Sequence, residues 1–155
     1  MTGRRPRLTP LIFLLAALTP AGAQAQARLE LSVSPASIAF SSANPDVAPT
    51  IAAAPAVVTI RIRQSAGPWS LTVLANGDLL AGSAAVDITN VSWTATPAPP
   101  FQNGTLSKTV AQRMASGTGN VNPTQSGSVT FRLANSWNYS AGTYTQTLVF
   151  TLSAP

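Results

Sequence analysis

Apolar and polar residues alternate in short runs along most of this chain, and each run stops at glycine, proline or asparagine. Successive side chains on an extended strand point to opposite faces, so this period of two is the signature of half-buried β-strands. Between Ala56 and Arg63, Val58, Ile60 and Ile62 share one face while Thr59, Arg61 and Arg63 share the other. Arg28 to Val33 repeats the pattern with Leu29, Leu31 and Val33, as do Trp69, Leu71 and Val73. Val91 with Trp93, then Val129, Phe131 and Leu133, then Tyr144 to Leu152 complete the series. Breakers such as Gly67-Pro68, Asn76-Gly77-Asp78, Pro97 to Pro100 and Gly117 to Gly119 separate the runs. No stretch keeps a helical period; Ala52 to Ala54 and Val110 to Met114 offer a turn of helix at most. The pattern predicts an all-β, antiparallel, immunoglobulin-like β-sandwich of about seven to nine short strands. Residues 41–55, rich in alanine, proline and serine, read as a long loop.

The N-terminus points to a compartment. Arg4, Arg5 and Arg7 precede an apolar run from Leu8 to Leu18, and small residues follow from Ala21 to Ala27. Basic, apolar and A-x-A segments in that order form a secretory signal peptide. The apolar run is shorter than the roughly 20 residues that span a bilayer. Residues 1–27 are therefore read as the signal, with cleavage near 25–27, and 28–155 as one domain. The expected location is secreted, at the cell surface or in the periplasm, with no transmembrane segment after cleavage. The net charge of +5 shrinks once Arg4, Arg5 and Arg7 leave, to six bases against four acids. No basic cluster is interleaved with aromatics, so nucleic acid is not an expected partner. Without cysteine, no disulfide can staple the fold.

Catalytic groups are scarce. With no histidine or cysteine, histidine-based triads and the common His/Cys metal sites are excluded. The mature acids are Glu30, Asp46, Asp78 and Asp87. A glycosidase needs two carboxylates facing across a cleft. Asp78 and Asp87 are the close pair in sequence, but an Asn-Gly-Asp turn and a strand start account for both. Asn76 and Asp78 give too few oxygens for calcium. Ser107 and Lys108, if adjacent on a strand, would point to opposite faces. The expectation is a protein that is not an enzyme and holds no cofactor.

Trp69, Trp93, Phe131 and Phe150 fall on apolar faces and are predicted core residues. Trp137, Tyr139 and Tyr144 flank the turn Ser140-Ala141-Gly142. There they are candidate surface contacts able to stack on sugar rings, or the corner packing that closes a sandwich.

Trp69-Ser70-Leu71, together with the terminal run from Gly142 to Pro155, resembles the Trp-x-Leu family of bacterial surface domains. Phe150-Thr151-Leu152 would stand for that family's second motif, with phenylalanine replacing its tryptophan. The resemblance implies a secreted β-rich module attached non-covalently to peptidoglycan, and makes Trp69, Leu71, Phe150 and Leu152 the family-motif residues. The Gly-x-Tyr-led final strand is also similar to pilin-like and spore-coat subunits, which depend on a donated strand. Two functions follow as expectations. One is a surface module whose partner is a cell-envelope polymer or surface protein. The other is a structural subunit that self-assembles through a free Arg28 to Val33 strand.

Overall fold

A computed structural model describes residues 28–63, 67–140 and 142–154; the segment read as an export signal lies outside them, as do Ala141 and Pro155. The first half of the described chain holds β1 (Arg28–Ser34), β2 (Thr50–Ala52), β3 (Ala56–Arg63), β4 (Pro68–Ala75), β5 (Leu79–Ala81) and β6 (Ala84–Val86). A 3₁₀ turn at Ile88–Asn90 follows, then β7 (Val91–Thr96), β8 (Gly104–Thr105), β9 (Gln112–Thr118), β10 (Val121–Ala134) and β11 (Leu148–Ser153). One sheet runs β1-β3-β10-β7-β8, with β2 also on β10; the other runs β11-β4-β9, and β5 pairs with β6. Every strand pair is antiparallel. The protein is thus an all-β sandwich.

Its long strands divide four against three, as in an immunoglobulin domain. The order is its own: β10 sits between β3 and β7, and β9 lies beside β4. In an immunoglobulin domain the fifth strand takes the first of those places and the sixth joins the opposite sheet.

The strand count exceeds the expected seven to nine because several pieces lack a full alternating run. β2 lies within the segment read as a loop over 41–55. It continues the line of β3 along β10, pairing Ala52 with Arg132, and the Ala53 amide reaches the Phe131 carbonyl at 2.9 Å. Pro55, which has no amide hydrogen to give, falls in the break between β2 and β3. Gln112 to Met114, within the stretch that offered a turn of helix at most, open β9 instead. A register shift opposite Leu71/Thr72 lets both Met114 and Ala115 enter the core, which erases the alternation from the sequence. The final strand starts at Leu148 rather than Tyr144, although Thr145 bridges to Leu80.

Val58, Ile60 and Ile62 of β3, Val129 and Phe131 of β10, and Trp93 of β7 meet Trp69, Leu71 and Val73 of β4 in one buried core. Fully burying an aliphatic side chain of this size contributes roughly 1.5–3 kcal/mol. The flanks of the sandwich differ. On the β8/β9 flank, residues 97–107 cross between the sheets. The Gln102 amide donates to the Met114 carbonyl at 2.9 Å, and that of Ser116 to the Pro100 carbonyl at 3.2 Å. Phe101 is carried inside, and its ring lies so close over Gly127 that a Cβ there would come within 2.6 Å of it. On the other flank β1 and β11 meet. Their inward residues Leu29, Leu31, Val33, Leu148, Phe150 and Leu152 pack on the core but stay half-buried. β1 is not a free strand: Arg28 to Ser34 pairs residue for residue with Arg63 to Val57.

Candidate contact surface

The residues that carry the Trp-x-Leu resemblance lie in and around the core. Trp69 is 4% exposed and Leu71 is fully buried, while Phe150 and Leu152 are half-buried on β11. The register brings the two motif leucines together, Leu71 opposite Leu152, but sets Phe150 opposite Val73. That position is about 13 Å along β4 from Trp69, so the two aromatics are not cross-strand partners. Trp69 instead lies over Gly117 of β9, where a Cβ would come within 2.6 Å of the indole. Its Nε1 is enclosed and finds no acceptor among the described residues, whereas Trp93 Nε1 donates to the Gln102 carbonyl at 2.8 Å. Outside Trp69, a shallow groove of about 450 Å³ runs over Ser70, Arg113, Ser116 and Ser153. Ser70 and Ser153 hydroxyls are already bonded to each other across it at 3.1 Å.

Trp137 behaves differently. Asn135 at the end of β10 gives its side-chain amide to the carbonyls of both Ala43 and Ala48, at 3.0 Å each. This ties the 43–48 loop to the β10–β11 connection. Within that loop the Asn44 side chain accepts from the Asp46 amide at 2.9 Å, the local hydrogen bond that makes asparagine a turn former. Asp46 is thereby fixed, and its Oδ1 accepts from Trp137 Nε1 at 3.0 Å. The indole is anchored by one edge while the residue remains 66% exposed. Tyr144 donates its hydroxyl to the Ser140 carbonyl at 3.0 Å, closing the same corner. Tyr139 packs on the core, and desolvation, with Tyr144 nearby, holds its phenol above the usual range. Of the three candidate contacts, Trp137 presents a broad surface, and the tyrosines build the corner beneath. The Asp46–Trp137 contact is not legible in the sequence because its partners lie 91 positions apart.

The acids near Lys108 are engaged in structure. Asp78 Oδ1 accepts from the Ile88 amide at 3.0 Å, and its Oδ2 from Lys108 Nζ at 2.6 Å. The Lys108 hydrogen bond, followed by that of Ile88, holds this carboxyl below its ordinary range. The same contact with Asp78 raises Lys108. Asp87 starts the 3₁₀ turn rather than a strand. It accepts from the Thr89 hydroxyl at 2.7 Å and amide at 2.9 Å, which lowers its pKa as well. Ser107 and Lys108 fall in the connection after β8, not on a strand.

Comparison with protein-family models, with curated proteins and with solved structures finds no match to this chain. Among the described residues no helix is long and apolar enough to cross a membrane.

Proposed function

We propose that the mature chain is an exported, non-catalytic β-sandwich that binds a carbohydrate polymer of the cell envelope, peptidoglycan foremost. The observation that carries this reading is Trp137, 66% exposed yet anchored to Asp46 at 3.0 Å. An indole face held open at a loop end stacks on the apolar face of a sugar ring. Anchoring its edge beforehand lowers the entropy lost on binding. The signal-like N-terminus and the scarcity of proton-transfer groups support an export-side, non-enzymatic role. The Trp-x-Leu resemblance supports the same partner, with Trp69 acting as a core residue rather than a contact.

The test is co-sedimentation of the mature chain with purified peptidoglycan sacculi. Trp137→Ala should weaken retention about fivefold or more, the effect of removing an aromatic anchor worth at least ~1 kcal/mol, with an unchanged unfolding midpoint. Equal retention of wild type and variant overturns the role of Trp137, and no retention of either overturns the partner.

A second reading, a structural subunit assembling by strand addition, draws on the half-buried inner faces of β1 and β11 at the outer edges of the two sheets. Sedimentation velocity decides it: a monomer at every concentration removes self-assembly.

A further inference from the structure

We propose that the outer face of β1 and β3 at Arg28, Arg61 and Arg63 docks a linear polyanion bearing regularly spaced phosphate or carboxylate groups. Strand register builds the surface. Arg28 stands opposite Arg63 and Glu30 opposite Arg61, and all four lie on the outward face of the sheet. Like charges directly opposite one another destabilise an antiparallel pair. Here Arg28 and Arg63 are so placed, and one carboxylate serves the group: Glu30 meets Arg28 Nε at 3.2 Å and Arg61 Nη1 at 3.5 Å.

The imbalance is local. The other side-chain cations from residue 28 onward, Lys108, Arg113 and Arg132, are matched in number by Asp46, Asp78 and Asp87. Those three acids all lie in loops at the opposite end of the sandwich, near the β10–β11 connection or the 3₁₀ turn. The corner's three arginines and one glutamate thus hold a net charge equal to the side-chain excess of the whole domain, and no acid but Glu30 lies near them.

The corner is also ordered. Arg61 is held from two sides, by Glu30 and by Asn122 Oδ1 at 3.3 Å, and its enclosed Nε has no partner among the described residues. Arg61 and Arg63 are about 6.6 Å apart along the strand, and the neighbouring strand adds Arg28 at about 4.8 Å. Guanidinium forks at that spacing suit successive oxyanions of an extended chain better than a single small anion. The neighbouring side chains are hydroxyls, with Thr59 and Ser126 bonded at 2.9 Å. The exposed apolar residue on this face of β3, Val57, is six positions from Arg63, about 20 Å away. Among the described residues of β1 and β3, no apolar side chain stands beside the arginines on this face, so the surface fits a polymer rather than a bilayer. It is separate from the Trp137 end, so this inference goes beyond the carbohydrate reading and stands or falls without it.

Binding of the mature chain to inorganic polyphosphate and to polygalacturonate, followed by fluorescence anisotropy across a salt series, tests the proposal. Binding of at least one polymer is expected at low salt, with affinity falling steeply as salt rises. Arg28→Ser combined with Arg63→Ser should weaken it about tenfold and flatten the salt dependence. Glu30→Gln should strengthen it several-fold, an outcome that damage to the fold would not produce. Trp137→Ala should leave it unchanged. The proposal is overturned if neither polymer binds, if the double variant binds as tightly as wild type, or if phosphatidylglycerol vesicles bind more tightly than both polymers.

Discussion

The two flanks of the sandwich are built from similar short strands, yet they are finished differently. At the β8/β9 flank, residues 97–107 pass from one sheet to the other and exchange backbone hydrogen bonds with β9. That crossing carries Phe101 and Leu106 into the core, 1% and 2% exposed. At the β1/β11 flank the inward leucines and Phe150 stop half-covered, and Ile38 and Phe40 of the segment after β1 are also only partly buried against the core. Alternation alone brings apolar residues to the correct face. Burying them completely requires a segment that closes the side.

The difference sets an order of mutational cost. Phe101→Ala should be the most damaging, at about 3–5 kcal/mol, because a fully enclosed ring leaves a cavity that the surrounding strands cannot fill. A domain with roughly 5–15 kcal/mol of stability would approach unfolding. Denaturant titration followed by tryptophan fluorescence measures it. A loss below ~1 kcal/mol would mean that the crossing segment is not what seals this flank.

Phe150→Ala comes next, at about 2 kcal/mol, since its half-exposed ring gives up less buried area on truncation. The same titration applies, and the informative quantity is the gap between the two variants. If Phe150→Ala costs as much as Phe101→Ala, the open flank is closed in solution, and a dimer found by sedimentation would identify a second copy as the cover.

Legibility in the sequence follows the same division. Ala56 to Arg63 was readable to the residue as β3, and Arg28 to Val33 and Trp69 to Val73 fall within β1 and β4, because each alternates without interruption. β9 was hidden by the bulge that buries Met114 and Ala115 together. The first half of β10 was hidden by Pro123, which sits at a register shift where a strand tolerates proline. β2, β5, β6 and β8 are too short to establish a period. At the candidate surface, Trp137 was visible as an aromatic beside a turn. Its anchor Asp46 and the Arg28–Arg63 pairing were not, since both depend on which distant segments the topology brings together.

The smallest effect tests how the closed flank is held at its loop end, where the Ala75 amide donates to the Ser107 carbonyl at 3.0 Å beside the Asp78–Lys108 pair. Asp78 has a folded pKa below its unfolded one, so its contribution is complete above the ordinary carboxylate range. It is lost as pH falls through the lowered value. Lys108 has the opposite sign: raised in the fold, it contributes fully below its unfolded pKa and ceases to as pH rises through the raised one. The pair is exposed and screened, so the whole-protein midpoint should shift only slightly at either extreme. Asp78→Asn keeps an oxygen for the Ile88 amide and removes the charge, which isolates the ion pair. At neutral pH, hydrogen exchange at the Ala75 and Leu106 amides should quicken in this variant, while β11 amides bonded to β4 stay unchanged. As pH is lowered, wild type should converge on the variant, because its own Asp78 is by then neutral. Equal quickening on both flanks would show that the pair stabilises the sandwich globally, and the independence of the flanks would be lost.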